Sequence, residues 1–85
     1  MTVVLLPKAI KALGRMNEPY SGRIRTALAK LRSEPPIGDI KSLTSKNGYR
    51  LRVGDYRVMF GIVNEEIVIT DITTRGHAYK GGNVK

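Results

Sequence analysis

Arg50, Arg52 and Arg57 are the residues of this 85-residue chain whose types and spacing prescribe a chemistry most directly. A guanidinium is permanently charged and planar, and its forked donors match the oxygens of a phosphate. The three lie within Tyr49-Arg50-Leu51-Arg52-Val53-Gly54-Asp55-Tyr56-Arg57-Val58-Met59-Phe60. Strand side chains alternate between faces, so Tyr49, Leu51 and Val53 point one way and Arg50 and Arg52 the other. Gly54-Asp55 suits a two-residue hairpin turn with glycine at its first central position. Such a turn sets the register: Val53 opposes Tyr56, Arg52 opposes Arg57, Leu51 opposes Val58 and Tyr49 opposes Phe60. One hairpin face is then apolar. The other carries two arginines roughly 5 Å apart at Cβ, with Arg50 and Met59 beside them. Like charges so placed oppose folding, and a polyanion would supply the missing partner.

Other groups that could do chemistry are sparse. His77 is the only histidine and the only side chain whose reference pKa, about 6.5, lies near neutrality. It is a candidate proton acceptor, or an exposed polar residue in a glycine-flanked tail. Tyr79 either packs on the sheet or acts on a substrate. Asp71 sits inside an apolar strand, where a salt bridge to an arginine explains it better than catalysis does, because no second carboxylate forms an acid/base pair with it. One histidine and no cysteine cannot make a zinc site. There is no phosphate-cradling glycine loop of the nucleotide-binding type, and no Ser/His/Asp nucleophile set.

The flanking elements must position the hairpin. Thr2-Val3-Val4-Leu5-Leu6 reads as a short buried strand. Pro7 suits a first helical turn; Ile10, Leu13 and Met16 mark one face of a helix that ends near Asn17. Pro19 opens a second helix, whose stripe is Tyr20, Ile24, Ala27, Leu28 and Leu31. Arg23 and Lys30 share one face of it, and Arg25 and Arg32 another. Glu34-Pro35-Pro36 ends it. A connection then leads to a turn at Ser45-Lys46-Asn47-Gly48. Strands follow at Tyr49–Val53, Tyr56–Val63 and Glu66–Thr73, the last two joined near Asn64-Glu65. The register of that pair stays open, because Ile67-Val68-Ile69 is continuously apolar. The expected fold is α+β: an N-terminal strand, two helices, then an antiparallel three-stranded meander, with the helices packed on one face of a single sheet. The covered face would hold Leu51, Val53, Tyr56, Val58, Phe60 and Ile62. The open face would hold Arg50, Arg52, Arg57 and Met59.

Length and charge bound the rest. Residues 1–85 suffice for one small domain with a modest core. Fifteen Lys and Arg against seven Asp and Glu give a net charge of +8, and eight of those cations are arginine. So basic a chain favours nucleic acid, an acidic protein or an anionic surface as partner. Absence of cysteine excludes disulfide and thiolate chemistry and is compatible with a reducing cytoplasm, the expected location. No run approaches the ~20 apolar residues of a transmembrane helix, so no membrane partner is expected.

The strand-then-helix opening ending Lys8-Ala9-Ile10-Lys11-Ala12-Leu13, the double-proline break, the hairpin Tyr-Arg-Leu-Arg-Val-Gly-Asp-Tyr-Arg-Val at 49–58 and the tail Arg75-Gly76-His77-Ala78-Tyr79-Lys80 together resemble the RelE/ParE superfamily of toxins of type II toxin–antitoxin systems, on the RelE side. The resemblance covers nearly the whole chain. It implies a ribosome-dependent endoribonuclease that cuts messenger RNA during translation without a metal or other cofactor. A nucleotide 2′-oxygen attacks its own 3′ phosphate, releasing a 5′-hydroxyl and leaving a 2′,3′-cyclic phosphate or its hydrolysis product. By position, Arg50 and Arg52 would orient RNA and neutralise charge, and Arg57 would stabilise the phosphorane. Arg75 would bind phosphate or assist the leaving group, and Tyr79 would stack on a base or shift a proton. Some relatives carry lysines where Arg50 and Arg52 stand. A reference pKa above ~12 makes arginine a poor base, which leaves Tyr79 or His77 as acceptor. Arg23 and Lys30 are further candidates for RNA contact, against the simpler reading of a solvated helix face. The implied partners are the ribosome, its message and a cognate antitoxin that is partly disordered alone. Two other functions fit the same features: a ParE-type toxin that poisons DNA gyrase, and a non-catalytic RNA- or ribosome-binding module.

Overall fold

The computed structural model describes residues 1–43 and 48–74. In chain order the elements are β1 (Thr2–Leu5), α1 (Pro7–Gly14), α2 (Tyr20–Leu31), β2 (Asp39–Leu43), β3 (Gly48–Val53), β4 (Tyr56–Val63) and β5 (Glu66–Thr74). They build one five-stranded sheet in the order β1-β5-β4-β3-β2, with β1 parallel to β5 and every other pair antiparallel.

Local chemistry explains most of the boundaries. Pro7 occupies the start of α1, where its missing N–H costs nothing. The helix stops at Gly14, one turn earlier than the Asn17 expected from sequence. At the head of α2, the Glu18 carboxylate takes the place of a capping hydroxyl. Gly22 N–H donates to Glu18 Oε1 at 3.1 Å and the Ser21 hydroxyl donates to Oε2 at 2.9 Å. An anion there also complements the helix dipole. Gly54 opens the β3–β4 turn at φ +60, the left-handed conformation that the turn needs at its first central position.

The core lies between the helices and one face of the sheet. Ala9 and Leu13 of α1 and Ile24, Leu28 and Leu31 of α2 pack on Leu51, Val58, Phe60, Ile67, Ile69 and Ile72. Tyr49 stacks on Phe60 at the same face, with ring centroids 5.4 Å apart. Five apolar residues depart from the expected inward pattern. The segment Thr2–Leu6 is not buried throughout: Val3 and Leu5 pack against the core, whereas Val4 and Leu6 are exposed, because strand alternation turns Val4 to the face opposite the helices. Ile10 is turned out because α1 approaches the sheet through small Ala9, one residue earlier. Ile62 lies at the far end of β4, past the reach of the helices. Tyr20 begins α2 and is 47% exposed.

The sheet has one strand more than the expected layout. The connection after the double proline contains β2, which pairs with β3 through Asp39↔Arg52, Ile40↔Leu51 and Lys41↔Arg50. Its alternation is legible once the pairing is known: Ile40 faces the core side with Leu51, and Asp39 and Lys41 face the open side. The apolar run in β5 also has its reason. β5 lies inside the sheet, between β1 and β4: Ile67 and Ile69 enter the core, and Val68 between them points to the other face, where it is half-buried. A bulge falls between the pairs Phe60↔Ile69 and Met59↔Asp71, leaving Thr70 as the extra residue. Thr70 Oγ1 donates to the Met59 carbonyl at 3.2 Å. The insertion shifts the alternation by one, which brings Ile72 into the core with Ile67 and Ile69.

Candidate nucleic-acid interface

The β3–β4 register agrees with the sequence reading at every position: Val53↔Tyr56, Arg52↔Arg57, Leu51↔Val58, Arg50↔Met59 and Tyr49↔Phe60. Leu51, Val58 and Phe60 are buried beneath the helices, so the arginines stand on the opposite face of the sheet, which no described element covers. Arg50, Arg52 and Arg57 converge with Gly54, Asp55 and Tyr56 around a small hollow of about 80 Å³ at the turn end of the hairpin. Arg52 is exposed, whereas Arg50 and Arg57 are half-buried. The Nε of Arg50 is buried with no hydrogen-bond acceptor among the described residues. Leaving a buried donor unsatisfied costs about 1–3 kcal/mol.

The extra strand enlarges this face with two residues that the sequence reading did not include. Lys41 lies directly across from Arg50, and Asp39 directly across from Arg52. The usable signal was the turn at Ser45-Lys46-Asn47-Gly48: a strong turn before β3 implies a strand running back along it, and Asp39-Ile40-Lys41 has the required alternation. Across the strands the face therefore reads Lys41, Arg50, Met59 in one row and Asp39, Arg52, Arg57 in the next.

Arg23 and Lys30 do not join that platform. They rise from α2 beside an adjoining groove of about 590 Å³ whose other wall holds Ile37, Asp39, Leu51 and Arg52. Arg52 thus belongs to both hollows. Arg25 and Arg32 line a different groove, between α2 and β1. Asp71 does form the expected salt bridge, but with Lys8 rather than an arginine: Lys8 Nζ stands 3.4 Å from Asp71 Oδ2, because the start of α1 packs beside β5 where β1 has ended. The other Asp71 oxygen accepts from the Ile72 N–H at 2.8 Å. Arg75, His77 and Tyr79 lie outside the described residues.

A family model for the ParE toxin of the type II toxin–antitoxin system, parDE, matches residues 3–79. The chain belongs to the ParE toxin family of the RelE/ParE superfamily. No curated protein matches the sequence. Among solved structures, the RelB–RelE antitoxin–toxin complex of Methanococcus jannaschii superposes with a TM-score of 0.79 at 21% identity, covering 94% of this chain and 99% of that one. The archaeal RelE–RelB complex of Pyrococcus horikoshii gives 0.76 at 26% identity, covering 88% and 94%. The isolated RelE toxin of E. coli gives 0.72 at 14% identity, covering 95% and 93%. The fold is thus that of RelE-type toxins. Family members are toxins of toxin–antitoxin systems, and the hairpin arginines occupy the sheet face opposite the helices. No helix among the described residues is long and apolar enough to cross a membrane.

Proposed function

We propose that this toxin is a ribosome-dependent endoribonuclease of the cytoplasm that cuts translated messenger RNA. The observation that carries the reading is the convergence of Arg50, Arg52 and Arg57, on the sheet face opposite the helices, around a hollow at the hairpin turn. Cleavage by an internal nucleophile needs little covalent help from the protein. It needs an aligned 2′-oxygen and cations around the equatorial phosphate oxygens. In this reading Arg50 and Arg52 seat the phosphate, and Arg57 meets the charge that grows on the phosphorane. The 2′-hydroxyl gives its proton to Tyr79 or His77 as its oxygen bonds to phosphorus. The bond from phosphorus to the 5′-oxygen breaks, the departing oxygen takes up a proton, and a 2′,3′-cyclic phosphate remains. Arg75, which follows directly on Thr74 at the end of β5, is assigned to phosphate binding or to the leaving group. Arg23 and Lys30 are assigned to further RNA contact along the groove that shares Arg52. A cognate antitoxin is the expected protein partner, as in the solved RelB–RelE complexes.

The decisive experiment pairs primer extension on a translated message with a gyrase supercoiling assay. Removing one preorganised charge-stabilising donor costs on the order of 10²–10³ in rate, so Arg57→Ala should lose cleavage by about that factor. Undiminished cleavage by Arg57→Ala would refute the site. The second reading, a gyrase-poisoning toxin, is favoured by the ParE description of the family model. It predicts inhibited supercoiling and no new 5′-hydroxyl ends in message.

A further inference from the structure

Around the end of the sheet from the arginine hollow lies a wider groove, of about 820 Å³, that no role above uses. α1 and the segment after it supply Lys8, Lys11, Arg15 and Asn17, and the sheet supplies Tyr56, Thr73 and Thr74, with Tyr20 at the head of α2 closing one side. Lys8, Lys11 and Arg15 recur at intervals of three and four, so they form one stripe about 10 Å long. That span is on the order of three phosphate spacings of a stacked strand. Lys8 is held by Asp71, the one carboxylate in the lining; Lys11 and Arg15 have no acidic partner among the described residues.

Tyr20 decides what such a groove suits. Its helical position belongs to the core stripe of α2, yet the residue is 47% exposed. It leans on Tyr56, with centroids 5.7 Å apart and planes inclined at 50°. A half-exposed aromatic side chain inside a cationic groove suits base stacking: every base offers a π-face, and flanking cations can take the phosphates. An acidic peptide would use the cations but has no comparable need of the ring. Two features connect the groove to the arginine hollow. Tyr56 lines both, and Arg57 and Tyr56 pair across the sheet with Thr73 and Thr74, which line the groove.

We propose that this groove is a second RNA subsite. The strand seated on Arg50, Arg52 and Arg57 continues past Tyr56, stacks a base on Tyr20 and lays its phosphates along Lys11 and Arg15. The inference rests on the nuclease reading for the direction of the strand, but its test does not require cleavage. Binding of a fluorescent 12-nucleotide single-stranded RNA to the Arg57→Ala protein is measured by anisotropy between 50 and 300 mM salt. The comparison set adds Lys11→Gln/Arg15→Gln, Tyr20→Leu or Tyr20→Phe to that background, each checked for an unchanged melting temperature. Losing two phosphate contacts should lower the salt slope by about 1.4. Losing one stacked base should weaken binding roughly tenfold, and Tyr20→Phe should restore it. The proposal is overturned if both groove variants keep the parent affinity and slope, or if the Arg57→Ala protein binds no RNA. It is also overturned if polyglutamate displaces the RNA at equal charge while Tyr20→Leu has no effect, which would mark an acidic protein as the occupant. Should message never be cut while the groove variants still lose RNA, the subsite stands and only the nuclease reading falls.

Discussion

Replacing Arg50 with methionine should make the protein more stable and less able to bind RNA. Arg50 is flanked by like charge on two sides, since Lys41 lies across from it on β2 and Arg52 two residues along β3. On its third side is Met59, and its buried Nε lacks an acceptor among the described residues. Methionine keeps most of the aliphatic stem, packs on Met59 and removes both penalties. Like charges directly opposite across strands cost up to ~1 kcal/mol, and about half that at an exposed edge. The unsatisfied donor adds about 1 kcal/mol, the low end of its range, because the rest of the guanidinium is partly solvated. The expected gain is therefore about 1.5 kcal/mol. At about 4–8 °C per kcal/mol for a domain of this size, the melting temperature should rise by about 6–12 °C. The two contributions separate in salt. Near 1 M the screening length falls to ~3 Å, so the Lys41 and Arg52 part, roughly a third, should vanish while the donor part persists. Thermal melts of parent and Arg50→Met at 20 mM and 1 M salt give both numbers. If the variant melts at or below the parent temperature at low salt, the arginine face is not held at a cost to folding.

Three further substitutions test how the framework holds that face. Glu18→Ala strips the start of α2 of both side-chain acceptor contacts and should cost about 1 kcal/mol in chemical denaturation, a loss within the range for helix caps; no change would show that solvent serves as well. Gly38 has φ +151 and a Cβ built there would stand 2.6 Å from Leu51 Cδ1. Gly38→Ala should therefore destabilise by about 2 kcal/mol through strain and overpacking under β3, and an unchanged denaturation midpoint would contradict the close approach. Ile69→Ala empties a fully buried position in β5 and should cost about 2–5 kcal/mol, read from the urea midpoint; a loss below ~1 kcal/mol would place the core elsewhere.

The parts of the site that were legible in sequence share one property: short-range chemistry decides them. A two-residue turn at Gly54-Asp55 dictates the β3–β4 register, and that register alone places Arg52 against Arg57. The prolines and apolar spacing give both helices, with the α1 end displaced by a turn because fraying at Gly14 is a small local balance. Asp71 was legible as an ion-pairing residue, but its partner was not, because Lys8 reaches it only through the packing of α1 beside β5.

What this chain determined by itself is a hairpin with arginines on one face and a core on the other, two amphipathic helices, and a net charge of +8. Tertiary structure decided the neighbours. It laid β2 beside β3 and so set Lys41 against Arg50. It inserted the bulge at Thr70 that returns Ile72 to the core, and it left Tyr20 exposed above a cationic groove where its helical phase alone would bury it. The reason is one of range. Turn and helix preferences act over a few bonds and are written in adjacent residues, whereas strand neighbours and the unfilled space between layers are settled only when distant segments compete for the same core.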